Sequence, residues 1–156
     1  MSWLSRLFGG KPETGVKAQR LDYLNEALVL ERQGDYDAAL TSYRLALRDQ
    51  PNDLTVLQNM AIAFSRTGRL DEAVRAYRKA LEIDPMLAGA HYGLAFLLLK
   101  RGETEGAGKH LQAFLDHPPL GTVAEREVRH AQATLEQLNN PGAADSPPAD
   151  PPRSGG

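Results

Sequence analysis

Residues Gly34 to Pro51 read GDYDAALTSYRLALRDQP, and Gly68 to Pro85 read GRLDEAVRAYRKALEIDP. Laid over one another, the two stretches share Gly, Ala, Tyr, Arg, Ala, Leu and Pro at a constant offset of 34 residues. A fainter third copy, GETEGAGKHLQAFLDHPP, runs from Gly102 to Pro119 and keeps Gly102, Ala107 and Pro119 in step. Each copy reads as two helices, with apolar residues at the helical period on both sides of a glycine and a proline at the far end. A glycine suits a helix end that needs positive φ, and a proline stops the second helix because it lacks the N–H and clashes with the preceding turn. Small residues at Ala27, Ala39 and Ala46 let two backbones approach, while Leu30 and Tyr43 fill the space beside them. One such hairpin cannot bury its apolar face alone, so about three must stack.

The copies are framed at 20–53, 54–87 and 88–121. In that frame the first carries Tyr23, Glu26, Ala27, Leu30, Ala39, Tyr43, Ala46 and Pro51. The second carries Leu57, Met60, Ala61, Phe64, Ala73, Tyr77, Ala80 and Pro85, and the third His91, Leu94, Ala95, Leu98, Ala107, Leu111, Phe114 and Pro119. This pattern resembles the tetratricopeptide repeat family. The resemblance implies an all-α superhelix of three helix-turn-helix repeats. Glu26 where Leu is usual, His91 at a large packing position and Phe114 at a small one depart from the family pattern, and all three lie in the end copies.

Outside the repeats the composition changes. Residues 1–19 read as a flexible leader in which Trp3, Leu4, Leu7 and Phe8 share one helical face. Arg6, Lys11 and Lys17 against Glu13 leave this segment at net +2. A flap on the first repeat, a plug in the groove and a membrane or partner anchor all fit such a segment. Residues 122–139 predict an end helix with a Thr122/Glu125 capping box and an apolar stripe of Val128, Ala131, Leu135 and Leu138 that covers the last repeat. Residues 140–156, rich in proline and without a large apolar side chain, predict a disordered tail.

The 156 residues are 42% hydrophobic and 24% charged, with a formal charge of -2. That balance gives no field directed at nucleic acid. With no cysteine, a disulfide framework, a thiolate zinc site and a cysteine nucleophile are all excluded. No apolar run reaches the roughly 18 residues of a membrane span, and the expected place is the cytoplasm. His91, His110, His117 and His130 lie apart in sequence and form no metal motif. The pairs Asp71-Glu72 and Glu103/Glu105 fall at helix N-termini, where carboxylates favour the dipole. Gly102 to Gly108 lacks the Lys-Ser/Thr of a phosphate loop. No catalytic grouping, metal site or cofactor site emerges, and an enzyme is not expected.

In the family that this chain resembles, the first helix of each repeat lines a concave groove. Transferred by register, the apolar contact positions are Leu24, Leu28, Ile62, Tyr92 and Phe96. Gln58 accompanies them; Asn25, Asn59 and Gly93 share the position at which some members use asparagine to bond a peptide backbone. Arg32, Arg66 and Lys100 form a basic edge. The expected partner is another protein's extended or helical segment, with apolar anchors and acidic flanks. The chaperone-binding members' carboxylate clamp is absent, because Leu24, Leu28, Ile62, Tyr92 and Phe96 stand where it needs Lys, Asn and Arg. A non-enzymatic adaptor or scaffold is the expected role, with membrane recruitment through the leader or self-assembly through an exposed repeat face as alternatives.

Overall fold

Gly34, Gly68 and Gly102 hold φ of 80°, 75° and 77°, and each closes a helix in the same way. Three residues after each helix ends, a backbone N–H turns back to a carbonyl five residues earlier. Asp35 bonds Leu30, Arg69 bonds Phe64 and Glu103 bonds Leu98, each at 2.9 Å. This is the glycine-dependent helix ending that the repeat pattern calls for. It produces three hairpins: α1 (Glu13–Arg32) with α2 (Tyr36–Asp49), α3 (Leu54–Arg66) with α4 (Leu70–Ile83), and α5 (Ala88–Lys100) with α6 (Thr104–Asp116). A last helix, α7 (Thr122–Asn139), follows. The computed structural model describes residues 13–142, with side chains from Asp22 onward, and no strand occurs among the described residues.

Helix starts vary more than helix ends. Asp35 accepts from the Ala38 N–H at 3.1 Å, and Asp53 from the Thr55 and Val56 N–H groups at 3.0 and 3.2 Å. Each satisfies backbone donors that a first turn leaves unpaired. The capping box expected at Thr122 and Glu125 does not form. Gly121, at φ 116°, is the cap residue, and its carbonyl accepts the Glu125 N–H at 3.0 Å. Thr122 is already inside the helix, so its hydroxyl is not in the capping position. At the other end, α1 begins at Glu13, so part of the stretch read as leader is helical. Trp3, Leu4, Leu7 and Phe8 lie outside the described residues, as does the tail beyond Gly142.

The hairpins pack in chain order, α2 on α3, α4 on α5 and α6 on α7, and α3 also meets α5. The small repeat positions carry the tight crossings: Ala27, Ala39, Ala61, Ala73, Ala80, Ala95 and Ala107 are completely buried. One apolar cluster runs from α1 to α6; a second, around Ala95, Leu111, Phe114 and Ala131, joins the third hairpin to α7.

The three departures from the repeat pattern each have a local partner. Buried Ser42 donates to Glu26 Oε2 at 3.1 Å, so the carboxylate in place of leucine is matched by a hydroxyl on the facing helix. Phe114 packs against Tyr92, ring centroids 5.1 Å apart, and the small residue its position lacks is supplied by Ala131 of α7. His91 Nε2 donates to the Pro85 carbonyl at 2.8 Å, which leaves Nδ1 to accept from His110 Nδ1 at 2.9 Å. Two of the four histidines that lie apart in sequence, His91 and His110, therefore meet as a pair across α5 and α6. Burial, then the neighbouring His91 and Arg78, push the His110 pKa down.

Candidate partner-binding groove

The first helices α1, α3 and α5 each end in a cation, Arg32, Arg66 and Lys100, and all three are exposed. A positive charge in the last turn complements the helix dipole, and Arg32 Nε also bonds the Leu28 carbonyl at 3.2 Å. Repetition of the cation thus has a structural cause as well as a recognition value. Arg69 pairs with Asp37 at 2.9 Å, and Arg101 with Asp71 and Glu103 at 2.9 and 2.8 Å. Among the described residues, no such carboxylate meets Arg66 or Lys100.

Between these two cations lies a cleft of about 350 Å³. Ile62 and Ser65 of α3 form one wall, Gly93, Phe96 and Leu97 of α5 the other, and Tyr77 of α4 the floor. Ile62 is 43% exposed, an apolar side chain that the core does not use. A Cβ placed on Gly93 would collide with the Tyr77 ring, so the absence of a side chain there is what lets the phenol lie against the α5 backbone. Burial pushes the Tyr77 phenol up to about 12, so it stays protonated across the neutral range.

The far end of the cleft is closed by α7. His130 stacks on Phe96, centroids 4.6 Å apart and planes within 8°, and its Nδ1 hydrogen-bonds the Tyr92 hydroxyl at 2.8 Å. Tyr92 also touches Phe96 at 4.8 Å. Burial first, and then Glu127, raise the Tyr92 pKa, with Arg126 opposing them. The end helix, expected only to cover the last repeat, contributes a wall of the candidate site.

Of the groove residues expected from the sequence, Ile62, Arg66, Tyr92, Phe96 and Lys100 come together at this cleft, with Gly93. Leu24, Asn25, Leu28, Arg32, Gln58 and Asn59 do not line it. Leu24 is half-buried against the main cluster, Leu28, Gln58 and Asn59 are half-buried, and Asn25 is exposed. Gln58 lies over Gly89, where a Cβ would stand 2.7 Å from its Oε1. Ser65, Tyr77, Leu97 and His130 were not singled out as site residues. One of them was legible in the 34-residue offset, which sets Ser65 opposite Glu31. Among the described residues no group of three or more His, Cys, Asp or Glu is placed to hold a metal, and no helix is long and apolar enough to cross a membrane.

Two family models described as tetratricopeptide repeat match residues 21–86 and 67–119. None of the curated proteins matches the chain. Among solved structures, the Yersinia enterocolitica type III secretion chaperone SycD, in complex with a peptide of the translocator YopD, is similar at a TM-score of 0.71 and 16% identity. The match covers 76% of this chain and 90% of that one. The TPR2B domain of yeast Sti1, in a pHsp70 complex, reaches 0.69 and 18% identity over 80% and 98% of the two chains. The first TPR of Spaghetti (RPAP3), bound to the HSP90 peptide SRMEEVD, reaches 0.65 and 20% over 76% and 94%.

Proposed function

The chain belongs to the tetratricopeptide repeat family, and from that premise we propose that it is an adaptor holding a segment of a partner protein on the face lined by α1, α3 and α5. The observation that carries this reading is the cleft at α3 and α5. There an exposed isoleucine, a buried tyrosine and two cations without carboxylate partners among the described residues surround one opening. Covering such a surface releases apolar area from water, worth about 25 cal/mol per Å², and the cations select acidic flanks. Two of the similar structures named above hold peptides of partner proteins, which supports a protein as the ligand class. The groove itself differs from a carboxylate clamp, since apolar Leu24, Leu28, Ile62, Tyr92 and Phe96 occupy the clamp positions, so a chaperone tail held in that way is not the ligand proposed. No reaction is assigned to the site.

Capture of partners by the full chain, compared with an Ile62→Glu variant, tests the reading. Ile62 is exposed, so the substitution leaves helicity and melting nearly unchanged while it places a carboxylate in the cleft. Loss of the captured protein supports the groove; equal capture by both forms overturns it. Phe96→Glu is less informative, because Phe96 also holds His130 and therefore α7.

A further inference from the structure

The three repeats do not present three equal sites. The register that places Glu31, Tyr43 and Asn59 at the junction of the first two repeats places Ser65, Tyr77 and Gly93 at the next. At the first junction Tyr43 is wholly buried, with Glu31 and Asn59 as its neighbours. At the second, the two flanking positions have lost their long side chains, and the cleft occupies the space. We infer that this second junction is the anchor pocket of the groove, and that it takes one large apolar side chain of an extended partner segment with acidic residues beside it. The inference rests on the groove reading above and assigns its specificity.

Size and chemistry both point to that occupant. A volume of about 350 Å³ sits at the low end of small-ligand pockets, room for one side chain and not for a large cofactor. Its sides are apolar or aromatic at Ile62, Phe96 and Leu97, while the Ser65 and Tyr77 hydroxyls add two polar contacts. No carboxylate lines it, and Arg66 and Lys100 stand on the rim. An acidic neighbour on the ligand is therefore drawn in and a basic one repelled. The chain's own termini fit poorly. Residues 1–12 carry aromatic side chains but also Arg6 and Lys11 and no acid. Residues 143–156 carry Asp145 and Asp150 but no large apolar residue to fill the space. The partner supplies both features in one segment.

Short acetylated and amidated peptides test this with the full chain, read by fluorescence anisotropy. One peptide carries Phe flanked by Asp, a second Phe flanked by Lys, and a third Ala flanked by Asp. The first should bind at least about tenfold more tightly than either of the others. Ser65→Glu, which restores the residue of the first junction and so suits the fold, should weaken the first peptide by about tenfold or more. Arg66→Gln with Lys100→Gln should weaken it and flatten its salt dependence. Equal binding of the Lys-flanked peptide, undiminished binding by Ser65→Glu, or no binding of the first peptide to the intact chain would each overturn the assignment. So would tighter binding after residues 1–12 are deleted, which would identify the leader as the occupant. Leu28→Glu, on the same face but outside the cleft, separates the two levels once circular dichroism shows that its helicity is kept. If it weakens binding and Ser65→Glu does not, the groove stands and the pocket falls; if Leu28→Glu, Ile62→Glu and Ser65→Glu all leave binding unchanged, the groove falls as well.

Discussion

At the junction of the first and second repeats, Tyr43 is completely buried beside Glu31 and Asn59. One repeat further along, Tyr77 occupies the same register and keeps 6% of its surface open, at the floor of a cleft that it shares with Ser65 and Gly93. The alanines framing the two tyrosines are identical in kind and burial: Ala39 and Ala46 in one repeat, Ala73 and Ala80 in the next. The scaffold repeats, but the two residues that face the groove do not. A repeat array can thus alter recognition at one junction by exchanging long side chains for short ones while every crossing that holds the stack stays the same.

The closed junction has an internal tension that the open one lacks. The Tyr43 hydroxyl and Glu31 Oε1 are buried beside one another, and among the described residues neither closes a well-formed hydrogen bond. Burial, followed by the Glu31 charge, pushes the Tyr43 phenol above its ordinary range, with Asn59 acting the other way.

The equivalence of the two scaffolds is broken most severely by overpacking. Ala39→Leu and Ala73→Leu should each cost roughly 3 kcal/mol in urea unfolding, because neither crossing has room for extra methylenes. Costs that differ widely would show that the repeats are not equivalent beneath the groove. Gly93→Asn, which copies Asn59 into the open junction, should cost roughly 2 kcal/mol through collision with Tyr77, offset in part by the better helix propensity of asparagine. A neutral result would mean that Tyr77 swings aside and that the cleft does not depend on that glycine.

Tyr43→Phe removes a buried hydroxyl that closes no well-formed hydrogen bond among the described residues, so stability should hold or rise by up to about 1 kcal/mol. A clear loss would show instead that the hydroxyl donates to Glu31 in solution. The smallest effect belongs to the third repeat, where His110 stands in the register of Ser42. Its pKa is lowered in the fold, so the unfolded chain takes up the proton more readily. The associated stability is complete above the ordinary value of 6.5 and declines as pH falls below it. His110→Gln should flatten that part of a melting-temperature profile.

Much of this architecture was legible because its cause is periodic. Gly34, Gly68 and Gly102 recur at one spacing and all adopt positive φ, since the same hairpin needs the same left-handed residue three times. The alanines at the crossings were legible for the same reason. What periodicity hides is what breaks it. His91 and His110 looked isolated because their contact joins different helices of one hairpin. His130 looked inert because its partners, Tyr92 and Phe96, lie far back in the chain and are reached only when α7 folds over the third repeat. The anchor pocket is made of what is missing at Ser65 and Gly93, and small residues carry no positive signal of their own.

The division of the interior into two apolar clusters has a consequence for the pocket's lifetime. Because α7 rests on the second cluster, it can detach without unravelling the main stack, as terminal units of such arrays do. Each detachment lifts His130 from Phe96 and removes one side of the cleft. A ligand seated there would act as a latch, so amide hydrogens along Thr122–Asn139 should exchange more slowly when it is bound.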